Sequence, residues 1–372
     1  MKTPAKRLEK FPEYVHARLG KAVAEVERES GRTVLNFGVG SPDIPPSETY
    51  LKKLDEFFRE KKAHLYPGYG GSNELKSAIC TWYQKRFNVT LEDSEILVLL
   101  GAKDGVAHVP FALADAGTEI LVPDPGYPGF SGSALLAGAT PVSYGSTEEL
   151  EGKVTKKTAF IWVNFPSNPT GATATIDDLE KIITIAKKHS VPIVYDNAYS
   201  EITFDGFIAP SILEVEGAKE IAVELGSFSK TFSFAGYRMG WLVGNRDIVA
   251  ALAKVKSQTD SGMTLPLQRL GAYALLNQDM DWHKKMLATY QERRDVVAGK
   301  LRTLGLAFEV PKGALYLWAK IPDTAKDSES YVLQMLKEKQ ILFAPGSAFG
   351  TAGDRYVRIS ICTDISDIDD YL

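Results

Sequence analysis

Cysteine is scarce in this 372-residue chain, with Cys80 and Cys362 its two thiols. Two are too few for a disulfide framework, and neither sits at a metal-ligand spacing. The pair fits a reducing compartment. Long apolar runs are missing as well. No stretch of about 18 apolar residues predicts a membrane span, and the opening MKTPAKRLEKFPEY is charged where a signal peptide would be apolar. A cytoplasmic protein is the expectation. Basic excess is also absent: 43 Lys and Arg stand against 47 Asp and Glu, a formal charge of −4. No phosphate-neutralising stripe therefore argues for a nucleic-acid partner. The histidines, His16, His64, His108, His189 and His283, form neither HxxxH nor HExxH, so no metal site is expected. The run PGYGG lacks the Lys-Ser/Thr of a P-loop and the spacing of a dinucleotide fingerprint, which argues against ATP and NAD.

What remains is ordinary globular composition, 44% hydrophobic and 24% charged. At roughly 150 residues per domain the length predicts about two domains, and a chain this long buries a core without covalent staples. Ala22–Glu29 reads as an amphipathic helix stopped by Gly31, and Thr33–Val39 as a strand running into SPDIPPSE. Ser72 opens a helix on which Leu75, Ile79 and Trp82 recur. Strands and helices then alternate: Ile96–Leu100, with GAKDG bridging to a helix Val106–Ala114; Ile120–Val122; Ala159–Val163, then a helix through Asp177–Lys188; Ile193–Tyr195; Ile221–Leu225; and Arg238–Gly244. These runs show no polar alternation, the mark of strands buried on both faces of a mostly parallel, helix-covered sheet. After about residue 250 the pattern changes to long helices through 246–260 and 266–302, followed by the strands Leu315–Ala319 and Val357–Ile361. The expected organisation is a large α/β domain over 45–255 and a smaller α+β domain formed by 1–44 with 256–372.

In open α/β sheets ligands bind beyond the carboxyl ends of the strands. The polar residues just past each predicted strand include Lys103 and Asp104, Tyr127, Asn168, Asp196, Tyr199, Ser227, Ser229, Lys230 and Arg238. A carboxylate, an amide, phenols, hydroxyls, lysines and an arginine gathered at one level suit an anionic, aromatic ligand.

The run SFSKTFSFAGYRMGW, with NPTG upstream and DNAY between, resembles the pyridoxal-phosphate aminotransferases of fold type I, class I/II. RLEKFPEY, GVGSPD, YPGYGG, GAKDG, PDPGYPGF, DNAYSEITFDG, KSQTDSG and YVRIS follow in the family's order. Several of these blocks look most like the LL-diaminopimelate aminotransferase branch, beside the aspartate aminotransferases. The resemblance implies a large domain with a mostly parallel seven-stranded sheet, the cofactor pyridoxal 5'-phosphate, and transfer of an amino group from an L-amino acid to a 2-oxo acid, 2-oxoglutarate foremost. It also implies a homodimer with sites at the subunit interface.

Residue by residue, the resemblance makes Lys230 the covalent tether for the cofactor aldehyde and the proton carrier. Asp196 pairs with the ring nitrogen. Asn168 and Tyr199 hold the phenolic oxygen, and Tyr127 stacks on the ring. Ser227, Ser229, Arg238 and the backbone at Ala102–Lys103 form a phosphate cup; Lys103 itself either adds a charge there or stands solvated. Arg358, in an edge-like strand, clamps the substrate α-carboxylate with Asn168 beside it, and Gly40 lets substrate approach the backbone. Tyr66 reaches the neighbouring subunit's phosphate. Tyr14 either contacts substrate across the dimer or packs within its helix. The same cofactor residues would serve a C–S β-lyase, or a regulator that has lost its chemistry. No arginine stands in KSQTDSGMT to bind a distal carboxylate; it offers Asp260 and Ser261, which would suit a diaminopimelate substrate with a distal amine, while alanine or a broad range of neutral amino acids would also fit. The connection over 131–158 is short for this branch, and IDDYL falls where the final helix begins.

Overall fold

The computed structural model describes residues 5–11 and 15–372. In chain order its strands are β1 (Leu35–Asn36), β2 (Ile96–Leu99), β3 (Glu119–Pro123), β4 (Thr140–Tyr144), β5 (Thr158–Asn164) and β6 (Ile193–Asp196). There follow β7 (Ala222–Ser227), β8 (Gly240–Gly244), β9 (Tyr316–Lys320), β10 (Ile341–Leu342), β11 (Ala344–Pro345) and β12 (Tyr356–Ser360).

Seven of these make one sheet in the order β2-β8-β7-β6-β5-β3-β4. Every neighbouring pair is parallel except those of β8, which runs antiparallel to both β2 and β7. The reversal matters for the site. The residues just before β8 emerge at the same edge as those just after the other strands. Along β5, Phe160 and Trp162 enter one apolar cluster while Ile161 and Val163 enter the other, all fully buried. Burial of each such side chain contributes about 1.5–3 kcal/mol, and helices on both faces exclude water from the sheet.

β4 is absent from the sequence reading. Its TPVSY carries a proline and three hydroxyls, and its burial runs from exposed at Thr140 to buried at Tyr144. Such a pattern suits an edge strand, where a missing N–H costs no ladder bond, and β4 pairs with β3 alone. The short 131–158 connection is thus fully used, with the helices Pro128–Ala137 and Thr147–Lys153 flanking this strand.

Two helices replace the single one expected over 266–302. The first, Leu265–Leu276, stops at Asn277; Asp279 then caps Met280–Thr303 by accepting from the Trp282 N–H at 3.0 Å. Leu270, Ala272, Ala274 and Leu275 of the first helix share a cluster with Leu75, Ile79 and Trp82. That packing carries the apolar core of the large sheet past residue 255 to Leu275.

A separate cluster joins Tyr290, Val297 and Leu301 to Leu317, Val332, Ile341 and Ile359, with Leu19, Val34 and Phe37 from the N-terminal segment. Over it lie β11-β12-β9 and the parallel pair β1-β10. The first strand is shorter than Thr33–Val39 because only Leu35 and Asn36 find partners, in Ile341 and Leu342. β12 is the middle strand of its sheet rather than an edge, which accounts for the burial of Val357 through Ser360. The closing IDDYL forms a short 3-10 turn over Ile368–Asp370, and Tyr371 donates to the Thr33 carbonyl at 2.8 Å.

Candidate active site

A cavity of about 440 Å³ opens at the carboxyl edge of the seven-stranded sheet. It gathers Gly40, Ala102, Lys103, Tyr127, Asn168, Asp196, Tyr199, Ser227, Ser229, Lys230, Arg238 and Arg358 from segments far apart in the chain.

The amine sits centrally. Ser227 ends β7, and its side-chain oxygen accepts from the Ser229 N–H at 3.2 Å, starting the single turn Phe228–Thr231 that carries Lys230. Lys230 Nζ donates to the Gly40 carbonyl at 3.1 Å and stands 5.5 Å from the Tyr199 ring centroid. Burial, with Arg358 and Arg238 nearby, lowers its pKa to about 8 against the pull of Cys362 and Asp196. Asp196 ends β6 nearly buried, and its carboxylate accepts from the Ala198 N–H at 3.2 Å. Desolvation raises it to about 6, moderated by that bond and by Lys230.

At one end stands Arg358, 6% exposed. Nη1 donates to Asn168 Oδ1 at 3.0 Å and Nη2 to the Gly38 carbonyl at 2.8 Å. The guanidinium lies 4.3 Å from the Tyr316 ring centroid and 4.6 Å from that of Phe349, and its buried Nε has no partner among the described residues. None of the described ion pairs includes it, so a buried cation faces the cavity in want of an anion.

The opposite end of the cavity brings together a helix start and the Arg238 guanidinium. Gly101, at φ +86°, caps the helix Ala102–Leu113 directly after β2. The helix begins at Ala102 rather than Val106, which leaves the first amides at Ala102 and Lys103 without intrahelical acceptors. Arg238, expected in β8, precedes it in a left-handed conformation (φ +57°) after the turn Ala235–Tyr237. It donates to the Ala235 carbonyl at 2.6 Å. A Cβ on Gly101 would fall 2.6 Å from Arg238 Nη2, and one on Gly240 2.7 Å from the Ala102 nitrogen. Both glycines are therefore needed for the guanidinium and the helix start to converge.

Other expected residues are placed as follows. Gly40 lines the cavity and is also required by the protein itself, since a Cβ there would lie within van der Waals overlap of the Tyr316 hydroxyl. Tyr66 does not line the cavity; it is 87% exposed on a turn. Tyr14 lies outside the described residues. Asp260 also stays outside the cavity, because its carboxylate takes Lys256 Nζ at 2.6 Å and the Gly262 N–H at 2.8 Å. The 1%-exposed Lys256 also pairs with Asp104.

Tyr316 and Asn164 are among the cavity residues that escape the sequence reading. Tyr316 opens β9, where an aromatic reads as core; its hydroxyl is 2.7 Å from that of Tyr199. Asn164 ends β5 at the very edge that selects Asp196 and Ser227, so the strand-end rule, applied one strand earlier, would have found it.

Comparisons with known proteins point to one family and fold. The family model described as aminotransferase class I and II matches residues 32–371. An LL-diaminopimelate aminotransferase from Halothermothrix orenii is 36% identical over 367 residues, 96% of this chain and 94% of its own. One from Aquifex aeolicus is 37% identical over 365 residues, covering 95% and 94%. Among solved structures, an aminotransferase from Staphylococcus aureus superposes with a TM-score of 0.89 at 33% identity, covering 99% of this chain and 96% of that one.

Proposed function

The chain belongs to the class I and II aminotransferases, enzymes that move amino groups with pyridoxal 5'-phosphate, and on that premise we propose that the cavity around Lys230 is its active site and LL-diaminopimelate its amino donor. The observation that carries the site is Arg358, a buried guanidinium lacking a carboxylate partner among the described residues, in the same cavity as a desolvated lysine.

The residues fit the cofactor. Helix amides at Ala102 and Lys103, the hydroxyls of Ser227 and Ser229, and Arg238 offer donors for a phosphate. Gly101 keeps open the space that a Cβ would take from Arg238. Asp196 would hold the ring nitrogen, Asn168 and Tyr199 the phenolic oxygen, and Tyr127 one ring face. Bound there, pyridoxal phosphate supplies an aldehyde to take up the amino group and an electron-withdrawing ring to spread charge released at the α-carbon.

The chain's own groups do the rest. With a pKa near 8, the Lys230 amine is partly neutral at neutral pH, so Nζ can bond to a carbonyl carbon with loss of water and, once an incoming amine displaces it from that carbon, the freed amine can accept the α-proton and return it. Arg358 holds the α-carboxylate through two parallel N–H donors, and Tyr316 and Phe349 fix its plane. Holding the substrate at that end and the phosphate at the other aligns the breaking bond, which is catalysis by orientation. Asp196, raised to about 6 by burial, would be favoured in its charged form by a proton-bearing nitrogen at its carboxylate.

The donor follows from the relatives' activity, and 2-oxoglutarate is the proposed acceptor. The proposed assembly is a homodimer, supported by Tyr66, whose exposed ring on the 66–71 turn is free to reach a neighbouring site. The cytoplasm is the proposed compartment, in keeping with the free thiols of Cys80 and Cys362. The test is a panel of LL-diaminopimelate, glutamate, aspartate and alanine assayed with 2-oxoglutarate. The highest kcat/KM should fall to LL-diaminopimelate; a higher value for alanine or aspartate overturns the donor, and no transfer from any of them overturns the reading.

A further inference from the structure

One amide side chain ties together two residues assigned above to the ring nitrogen and to the phenolic oxygen of the cofactor. Asn164 ends β5 in register with Asp196 at the end of β6, and it is 5% exposed on the cavity wall. Its Nδ2 donates to the Asp196 carbonyl at 2.9 Å, with a longer approach of 3.5 Å to the Pro166 carbonyl. Its Oδ1 accepts from the Asn168 N–H at 2.9 Å. Asn168 in turn receives Arg358 on its own side chain.

We infer that Asn164 is a positioning residue that sets the spacing between Asp196 and Asn168, and through Asn168 the pose of Arg358. The inference rests on the proposed roles of Asp196 and Asn168. Its logic is geometric. The Asp196 carbonyl and the Asn168 N–H belong to segments that separate at the sheet edge, where the β5–β6 ladder has ended. Asn164 offers a donor and an acceptor on one rigid plane, so satisfying both fixes the distance between them. Removing it leaves a buried carbonyl and a buried N–H unpaired, and both segments would move to find new partners. Asn164 touches the reaction through these two residues alone, by their main chains.

The test compares Asn164→Ala and Asn164→Asp with the parent and with Asp196→Asn, each first shown by circular dichroism to fold as apoprotein. Asn164→Ala should weaken cofactor binding to apoprotein about 10- to 100-fold, lower kcat by a similar factor and, because the Arg358 pose relaxes with Asn168, raise the amino-acid KM about threefold or more. Asn164→Asp keeps the acceptor for Asn168 and loses the donor to Asp196. The pH midpoint of the bound cofactor's visible band should therefore move by more than about half a unit in Asn164→Ala and by at least as much in Asn164→Asp, where the donor is lost and a carboxylate is added. Cofactor affinity and kcat within about twofold of the parent in Asn164→Ala, while Asp196→Asn is impaired, overturn the positioning role alone. Losses that track only the folded fraction overturn it too. An unimpaired Asp196→Asn removes the assignment on which the role depends.

Discussion

Arg358 donates to the side-chain oxygen of Asn168 at 3.0 Å and to the Gly38 carbonyl at 2.8 Å, which leaves the guanidinium oriented and uncompensated in the cavity. Lysine in its place keeps the charge but loses the planar fork. Arg358→Lys should raise the KM for amino and oxo acids about 10- to 100-fold, the loss of one charge-assisted hydrogen bond of about 1.5–3 kcal/mol. Steady-state kinetics reads this; an unchanged KM places the carboxylate elsewhere.

Lys230 titrates near 8 because burial and the two arginines disfavour its charge. In cofactor-free protein the rate of covalent capture of pyridoxal, which lacks the phosphate, should rise with pH and level off above about 8. An exposed lysine would keep rising toward about 10.4. Stopped-flow absorbance follows the reaction, and Lys230→Ala should abolish this phase.

The phosphate end depends on a missing side chain. Gly101→Ala meets both a φ of +86° and the Arg238 guanidinium 2.6 Å away. Cofactor affinity of the apoprotein, measured by fluorescence, should fall about tenfold or more, as for a loss of at least 1.4 kcal/mol. Gly152→Ala, on a helix with nothing within 4 Å of the new methyl, should bind as the parent does.

Behind the site lies a buried carboxylate. Glu224 on β7 accepts from Tyr83 Oη at 2.8 Å, Ser211 Oγ at 2.6 Å, Asn197 Nδ2 at 3.2 Å and the Ile212 N–H at 3.0 Å. Burial outweighs these donors and raises it to about 7 from 4.5. The folded chain thus holds a proton that the unfolded chain has released, so stability falls as pH rises between those values, by roughly 3 kcal/mol from this group. Melting of apoprotein between pH 4.5 and 7.5 should show a downward slope that flattens in Glu224→Gln. An identical slope in both contradicts the assignment.

Much of this was legible in the sequence, for definite reasons. Apolar runs such as ILVL and FIWV mark doubly buried strands, and the residues beyond them mark the ligand edge, so Asp196, Ser227 and Lys230 follow from position. β4 was not legible because an edge strand needs neither continuous apolarity nor every N–H. The break at Asn277–Asp279 hides in a helical period that continues on both sides. Tyr316 was hidden for another reason: its packing against Gly40 and Tyr199 joins residues 276 and 117 positions apart. Asp260 looked free in the sequence, and Lys256, four residues earlier, occupies it in the fold.

The central claim is that Lys230 and Arg358 serve one amino-transfer site. It is tested most directly by titrating the cofactor-loaded protein with LL-diaminopimelate and no oxo acid while following visible absorbance. The account predicts loss of the yellow band with one equivalent of oxo acid released per site, restored by 2-oxoglutarate, and no such change in Lys230→Ala. A yellow protein whose band no amino acid alters, or a Lys230→Ala variant that responds as the parent does, would contradict it.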